Sequence, residues 1–384
     1  MKSTAIKNAQ IVLENGIIWD GVLCIDDGII TAVGKEKDVI IPEDADIIDA
    51  EGAYVGPGLV DIHVHGGGGY RTDFDSDKAA MFFLKHGTTS FLSTLFYNLN
   101  LENFITCIRK VKEDMKTTPS IKGMYMEGPY MNAKYGADAH LNSWKEGICE
   151  EEYKALVDEA GSFVKIWAVA PEREGLIPFL KYARKVNPDV QFALGHSEAK
   201  PAQVRALGIY RPIVLTHFSD ATGRVKEKVG IRKTGPEEYC LAEPDMYAEL
   251  ISDSCGVHVE AEMQQMLIRC KGVHRTVLIT DSTVYDNPTP PEYAHITDIN
   301  FDDRGSIAGS KLTMDKACQN VMQSTNCGIA QAFVMGSLNP AKVIGLDREL
   351  GSIEVGKKAD LIFVDDKFNV QKVMQEGKLC TFDE

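Results

Sequence analysis

The chain has 384 residues, 44% of them hydrophobic and 25% charged, which suffices for a large core in several domains or in one barrel with an attachment. Its formal net charge of -15 argues against a broad basic surface, so we expect neither nucleic acid nor an anionic membrane as a partner. A small anionic substrate stays compatible with this charge, because one local arginine or lysine is enough to bind it.

Several features of the chain indicate a cytoplasmic location. Nine cysteines are scattered without any Cys-x-x-Cys pair, and this number and spacing favour reduced thiols. The first residues lack the apolar core of a signal peptide. No uninterrupted apolar run reaches membrane-spanning length. We therefore expect a protein of the cytoplasm.

Both ends of the chain have the pattern of short strands separated by turn-forming residues. The first part predicts strands at 5–13, 16–20, 21–25, 29–33 and 46–49. The last part predicts strands at 361–364 and 370–375. Because the ends of the intervening segment must meet, we predict one small β-sandwich-like domain built from residues 1–55 and 345–384.

The middle of the chain alternates strands with helices of ordinary length, which predicts parallel β/α units. The eight candidate strands are 58–63, 88–95, 121–127, 164–170, 191–196, 212–217, 247–252 and 276–281. The candidate helices are 76–86, 101–116, 150–160, 175–186, 201–207, 259–270, 314–324 and 328–334. Eight such units over about 280 residues predict a (β/α)8 TIM-type barrel in residues 56–344.

Two histidines end the first predicted barrel strand, in residues 57–65, PGLVDIHVH. Side chains at alternate positions of a strand share one face, so His63 and His65 can bind the same ion. An isolated His-x-His pair is also compatible with two surface histidines on an edge strand. Residues 66–69, GGGG, are predicted as a flexible loop after this strand.

Further imidazoles and carboxylates fall at the ends of other predicted strands, where catalytic groups of such barrels lie. These residues are Glu127, His196, His217 and Asp281. Imidazoles and a carboxylate around a divalent metal, with one position left for water, form a common hydrolytic site. We predict Glu127, His196 and His217 as one metal-binding set. His63 and His65 would form a second set, with Glu127 bridging the two.

Asp281 is then free to act as the general base for an attacking water and as the acid for the leaving group. Each residue taken alone has a structural alternative. Glu127 could cap a helix or form a salt bridge, and Asp281 could be an N-cap before Ser282. His196 and His217 could be hydrogen-bonded core residues. The coincidence of all these residues at strand ends favours the metal site.

Several longer motifs resemble one known family. They are residues 57–65 (PGLVDIHVH), 126–130 (MEGPY), 195–197 (GHS), 215–218 (LTHF), 279–281 (ITD), 308–315 (AGSKLTMD) and 351–361 (GSIEVGKKADL). These motifs are similar to those of the amidohydrolase superfamily and, within it, of the N-acetylglucosamine-6-phosphate deacetylase family. The resemblance covers nearly the whole chain, and the Glu-Gly-Pro and Ala-Gly-Ser-x-Leu-Thr-Met motifs are more specific than His-x-His.

The resemblance implies a metal-dependent barrel with a flanking β domain, a homodimer, and release of acetate from the amide of an amino sugar. It implies metal binding by Glu127, His196 and His217, catalysis by Asp281 and a sugar contact for His258. Some members lack the His-x-His pair and hold a single metal, so the pair leaves room for one or two ions. We expect zinc, while iron or another divalent ion also suits these ligands.

The chain departs from the family at the residues expected to hold the phosphate of the substrate. After Thr-His-Phe the family commonly continues with Asn-Ala-Met, whereas this chain continues with Ser219, Asp220 and Ala221. An aspartate there opposes a phosphate. Arg224 would supply a guanidinium for it, although a solvated loop charge is the alternative.

A second departure concerns a histidine of the substrate site. The family often has Gly-Ala-His after the Glu-Gly-Pro motif, while residues 136–140 of this chain are GADAH. His140 is therefore a candidate replacement for the family's histidine. Together with His258 and the residues of the phosphate region, it completes the predicted substrate-binding set.

The predicted substrate is N-acetylglucosamine 6-phosphate, with N-acetylgalactosamine 6-phosphate or an unphosphorylated amino sugar as alternatives. Another amidohydrolase activity, on N-acyl amino acids or cyclic amides, would use the same ligands with different loops. A non-catalytic scaffold is a further alternative. The intact ligand set and Asp281 argue against it.

Overall fold

The computed structural model describes residues 3–223, 231 and 233–382. Two sheets organise these residues, one parallel and one mixed, each with eight strands. The parallel sheet follows chain order from Leu59–Val64 to Thr276–Ile279, as expected of a barrel. Its strands are Leu59–Val64, Thr88–Phe96, Ile121–Glu127, Val164–Val169, Gln191–Leu194, Val214–Leu215, Tyr247–Ile251 and Thr276–Ile279. The predicted (β/α)8 barrel is thereby confirmed.

Helices separate the barrel strands and continue after the last one. The α-helices are Ser76–Lys85, Leu101–Asp114, Glu150–Ala160, Leu176–Val186, Pro201–Ala206, Pro236–Ala242, Ala261–Lys271, Met314–Thr325, Ile329–Phe333 and Asn339–Val343, and Val334–Leu338 is a π-helix. Short 3-10 turns lie at Glu36–Asp38, Ala139–Leu141, Gly161–Phe163, Gly208–Tyr210, Val273–Arg275 and Pro291–Tyr293. Among the described residues, no helix is both long and apolar enough to cross a bilayer.

Local sequence explains where several of these helices begin. Asn100 caps the second helix, where its side-chain oxygen accepts a hydrogen bond from the Asn103 N–H at 2.9 Å. Pro201 and Pro236 each occupy the first helical turn, where a missing N–H costs nothing. Helix Pro236–Ala242 is absent from the sequence prediction, because its seven residues are too few to show a clear periodicity.

The barrel interior is filled by apolar side chains from every strand. One buried cluster includes Val60, Leu92, Tyr125, Ile166, Ala193, Val214, Ile251 and Val277, one residue from each strand in turn. Because the interior is packed, the catalytic side chains of such a barrel lie at the ends of its strands. The barrel therefore supplies a rigid platform for the side chains at its carboxyl-terminal face.

A buried polar contact joins the first and eighth barrel strands. Asp61 Oδ2 accepts a hydrogen bond from Thr280 Oγ1 at 2.6 Å, and Asp61 Oδ1 accepts one from the His63 N–H at 3.2 Å. The backbone N–H of Asp281 donates to the carbonyl of His63 at 2.9 Å. These bonds bring residues 219 positions apart into contact and place His63 beside Asp281.

Both chain ends contribute to the second sheet. In spatial order its strands are Lys378–Leu379, Val370–Gln375, Leu361–Val364, Tyr54–Pro57, Thr4–Leu13, Gly16–Asp26 and Ile29–Lys35, and Asp46–Asp49 also pairs with Thr4–Leu13. The ends meet where Leu361 pairs with Pro57 and Val364 with Tyr54. The division into domains at 55/56 and 344/345 stays a prediction, and strand Tyr54–Pro57 spans the first of these points.

Residues 66–71 form a packed turn that we call the glycine hairpin. Gly66–Gly67 pairs with Tyr70–Arg71 in an antiparallel ladder. A Cβ atom added to Gly67 would lie 2.6 Å from the Phe83 ring, so the backbone approaches the first helix closely. The expectation of a flexible loop at 66–69 is wrong for Gly66 and Gly67, which are buried and paired in a strand, whereas Gly68 and Gly69 form the exposed turn.

We predict that Thr280→Val destabilises the protein by about 1–3 kcal/mol, because the buried Asp61 carboxylate loses its hydroxyl donor. Urea unfolding followed by circular dichroism measures this change. Thr106→Val is the matched control, since Thr106 is exposed on a helix and its hydroxyl donates to the backbone carbonyl of Glu102 in the same helix. Equal stability of the two variants would contradict a closing role for the Asp61–Thr280 contact.

Candidate active site

A cavity of about 490 Å³ opens at the carboxyl-terminal ends of the barrel strands. Every strand-end residue predicted to bind metal, apart from His63, lies in its wall. His63 lies directly behind the wall, with its Nε2 atom 3.8 Å from Glu127 and 3.6 Å from Asp281. The predicted ligands and Asp281 are therefore gathered in one place.

The first predicted ligand set forms a tight triangle of atoms. Glu127 Oε1 lies 2.7 Å from His196 Nε2 and 3.2 Å from His217 Nε2. The two Nε2 atoms are 3.1 Å apart, and all three side chains are buried. These three atoms are close enough together to share one ion.

Hydrogen bonds at the far side of each ring decide what these atoms can bind. His196 Nδ1 lies 3.2 Å from the carbonyl of Tyr135, and His217 Nδ1 lies 3.2 Å from the carbonyl of Asp220. A carbonyl can only accept, so each Nδ1 carries a proton, and each Nε2 turns a lone pair toward Glu127 once its ring is neutral, the form that binds a metal. Two imidazole lone pairs and a carboxylate oxygen converge, which is the donor set of a cation site.

The second predicted set consists of His63, His65 and Glu127. His65 Nε2 lies 3.2 Å from Glu127 Oε2. His63 Nε2 and Glu127 Oε2 are both buried. Among the described residues, neither atom has a partner in hydrogen-bond geometry. Buried polar atoms of this kind are costly unless they bind a ligand. The residues present therefore fit a second divalent cation, with Glu127 shared between the sets.

Asp281 faces the second set. Its Oδ1 atom lies 3.2 Å from His65 Nε2 and 3.6 Å from His63 Nε2. The side chain is only 10% exposed, and it lines the cavity. This position allows the carboxylate to take a proton from a group held beside the imidazoles.

Strained backbone turns three of these side chains into the cavity. His196, His217 and Asp281 have φ angles of 41°, 26° and 47°. Residues other than glycine rarely adopt positive φ, and they do so where the surroundings impose it, often at functional sites. The three residues lie two positions beyond the last paired residue of their strands, so the ladders end earlier than predicted.

The charges of the cluster shift its pKa values in opposite directions. Burial lowers the pKa of His217, but its hydrogen bond to Glu127 and the charge of Asp220 outweigh burial and raise it to about 9. Burial likewise opposes a rise of the His65 pKa to about 9, which the carboxylates of Asp281 and Glu127, each 3.2 Å from His65 Nε2, cause. Against the effect of burial, His196 and His217 lower the pKa of Glu127, and His65 and His63 lower the pKa of Asp281. Protons thus balance the ionised carboxylates, and a divalent cation can replace those protons.

Glu249 contacts the predicted ligands, and sequence reasoning missed it. Its Oε2 atom lies 3.0 Å from His63 Nδ1 and accepts the backbone N–H of His217 at 3.2 Å. The carboxylate is fully buried, and it holds the proton of His63 on Nδ1. Tyr125 stacks on the other face of the His63 ring, 4.4 Å between centroids. A glutamate inside the otherwise apolar strand 247–251 was the available signal.

Comparison with known proteins assigns the family. Residues 54–380 match the profile of the amidohydrolase family. The chain belongs to this family. It is 28% identical to the N-acetylgalactosamine-6-phosphate deacetylase of Escherichia coli O157:H7, over 98% of this chain and 99% of that protein. It is 29% identical to the N-acetylglucosamine-6-phosphate deacetylase of Vibrio furnissii, over 97% and 94% of the two chains.

A solved structure extends this likeness to the fold. The N-acetylglucosamine-6-phosphate deacetylase of Thermotoga maritima superposes with a TM-score of 0.81 at 26% identity. The superposition covers 98% of this chain and 99% of that one. The barrel and the sheet formed by both chain ends are therefore arranged in this amidohydrolase as in a solved deacetylase.

The predicted substrate-binding residues of this amidohydrolase are more dispersed than its predicted ligands. Asp220 and Ala221 line the described cavity, whereas Ser219 and His140 do not, and His140 is exposed. Arg224 lies outside the described residues. The roles predicted for these residues stay predictions.

His258 also stays a prediction as a sugar contact. Its side chain is fully buried, does not line the described cavity, and has Nδ1 3.2 Å from Asp253. Asp253 is itself fixed by the backbone N–H groups of residues 255, 257 and 258. His258 is thus an oriented, buried imidazole whose second nitrogen, Nε2, has no hydrogen-bond partner among the described residues.

We predict that Glu249→Leu weakens divalent metal binding 10- to 100-fold, because His63 and the His217 N–H both lose their acceptor. Competition with a chelating dye measures the affinity. Glu249→Gln is the matched control, since its amide oxygen can still accept both hydrogen bonds, and we expect a smaller loss. Unchanged affinity in the leucine variant, at an unchanged melting temperature, would contradict this role.

Proposed function

We propose that this amidohydrolase is a metal-dependent deacetylase that hydrolyses the N-acetyl group of an amino-sugar phosphate to acetate and the free amine. The observation that carries the proposal is the position of Asp281, beside two converging ligand sets at the barrel mouth. The names of the two curated relatives support this reaction, since both are deacetylases of N-acetylated hexosamine 6-phosphates.

The proposed substrate is N-acetylglucosamine 6-phosphate. N-acetylgalactosamine 6-phosphate is the alternative, because relatives of similar identity carry each name. Amine release from both epimers, from their unphosphorylated forms and from N-acetyl amino acids tests the substrate class. Hydrolysis confined to N-acetyl amino acids would overturn the proposal.

Glu127, His196 and His217 would hold one divalent ion, and His63 and His65 with Glu127 would hold a second. A bound ion would supply Lewis-acid polarisation of the acetyl carbonyl and would acidify a water beside it. We propose zinc, because imidazole and carboxylate ligands at four-coordinate hydrolytic sites suit it, while iron stays an alternative.

Asp281 moves the protons of the reaction. Its lowered pKa keeps it ionised at neutral pH, so a carboxylate oxygen can accept the proton of the attacking water. The protonated carboxyl then donates to the nitrogen of the departing amine, which leaves as the C–N bond breaks. His258 would position the sugar, and Asp220, Ala221, Ser219, His140 and Arg224 stay candidates for further substrate contacts.

We also propose that the protein is a homodimer in the cytoplasm. All nine cysteines are free. Three of the thiols are buried, four are partly buried and two are exposed. Such thiols suit a reducing compartment. Sedimentation equilibrium tests the dimer, and fractionation of cells that express the protein tests the location.

We predict that Asp281→Asn lowers kcat by about 100- to 10,000-fold, because the amide cannot take up the proton of the water. Acetate release measures the rate, and elemental analysis checks that the metal is retained. Asp286→Asn is the matched control, since Asp286 is exposed and lies outside the described cavity wall. Full activity of a metal-replete Asp281→Asn variant would remove Asp281 from the mechanism.

We predict that the double variant His63→Ala and His65→Ala loses the second ion before it loses the first. The remaining set, Glu127 with His196 and His217, keeps three ligand atoms within 3.2 Å of one another. Metal content per chain, measured by elemental analysis, is therefore expected to fall without reaching zero. Complete loss of metal in this variant would reverse the ranking of the two sets.

A further inference from the structure

The glycine hairpin places an arginine at the mouth of the candidate active site. Gly66 follows His65 directly and pairs with Arg71 across the hairpin. The backbone N–H groups of His65 and Gly66 both donate to the carbonyl of Ser282 at 2.9 Å, which ties the hairpin to the end of the eighth strand. Arg71 therefore has a fixed backbone position close to a predicted metal ligand.

Asp73 orients the guanidinium of Arg71. Arg71 donates from Nε to Asp73 Oδ1 at 2.9 Å and from Nη2 to Asp73 Oδ2 at 2.5 Å. The Asp73 side chain is only 7% exposed and also accepts from Cys107 Sγ at 3.5 Å, so it is a well-anchored partner. Among the described residues no other acceptor contacts this guanidinium. Its Nη1 donors, which the fork with Asp73 does not use, are available to a ligand.

The charges in the cavity wall make this arginine significant. Arg71 and Asp73 line the same 490 Å³ cavity as Glu127 and Asp281. Among the described lining residues, Arg71 is the only arginine or lysine, against carboxylates at Asp73, Glu127, Asp220 and Asp281. An anionic group of a substrate would meet repulsion at Asp220. It would meet hydrogen-bond donors with positive charge at Arg71.

We propose that Arg71, oriented by Asp73, binds the anionic group of the substrate. This inference rests on the proposed function, in which the acylated amine lies at the metal ligands and Asp281. The half-exposed guanidinium, with 51% of the side chain accessible, can form hydrogen bonds to a phosphate or a carboxylate from its free edge. A sugar phosphate and an N-acyl amino acid would both present such a group.

The test compares Arg71→Met with the wild-type, metal-loaded protein on three substrate classes. These are N-acetylhexosamine 6-phosphates, the unphosphorylated sugars and N-acetyl amino acids. We expect KM for the anionic substrate to rise by about ten-fold or more, with kcat within about two-fold and no change for the unphosphorylated sugars. Arg71→Lys keeps the positive charge but lacks the planar guanidinium that forms paired hydrogen bonds. We expect its KM for the anionic substrate to lie between those of the wild type and Arg71→Met.

Arg109→Met is the matched control. Arg109 also forms a surface pair, with Glu159 at 2.7 Å, but it is 68% exposed on a helix outside the described cavity wall. We expect its KM values to equal those of the wild type. An equal rise of KM for phosphorylated and unphosphorylated sugars in Arg71→Met would overturn the proposal, as would no rise for any anionic substrate.

A direct binding measurement separates this inference from the proposed reaction. Inorganic phosphate is titrated into the wild-type, Arg71→Met and Arg109→Met proteins by calorimetry. A Kd about ten-fold weaker in Arg71→Met alone supports the anion site even if the wild type hydrolyses no sugar. Equal phosphate affinity in all three proteins overturns it. A KM effect confined to N-acetyl amino acids supports Arg71 and instead refutes the proposed sugar substrate.

Discussion

The candidate active site depends on the carboxylate of Glu127, which contacts several of its histidines. One oxygen lies 2.7 Å and 3.2 Å from the Nε2 atoms of His196 and His217, and the other lies 3.2 Å from His65. Three buried imidazoles and the partly buried His65 gather around this anion, which offsets the repulsion between those rings that are protonated. The barrel supports this arrangement because it brings the ends of all eight strands to one face.

The residues around the ligands determine what the ligands can do. Backbone carbonyls hold the protons of His196 and His217 on Nδ1, and Glu249 does the same for His63. Positive φ angles at three strand ends cost conformational energy, which the packed barrel core offsets. The site is thus preorganised by hydrogen bonds and backbone strain that belong to the fold and precede any ligand.

Charge is distributed unevenly over the cavity. The ligand side combines carboxylates with imidazoles, Asp220 adds a further negative charge, and the Arg71–Asp73 pair supplies the guanidinium. A deacetylase of sugar phosphates must bind an amide and an anion in the same cavity. A cation at the amide requires negative ligands, whereas the anion requires a positive partner, so separating the carboxylates from Arg71 in space lets one cavity meet both requirements.

Local pattern in the sequence sufficed to predict the barrel, the sheet shared by both chain ends and the cluster of Glu127 with the strand-end histidines and Asp281. The alternation of strands with helices, and the residues at the strand ends, can be recognised from short stretches of sequence. Tertiary structure alone revealed Glu249, 186 residues from His63, and the closing contact of Asp61 with Thr280, 219 residues away. It also showed that Gly66 and Gly67, expected in a flexible loop at 66–69, pair with Tyr70 and Arg71 in a hairpin that places Arg71 in the cavity wall. Each of these depends on distances across the fold, which no short stretch of sequence encodes.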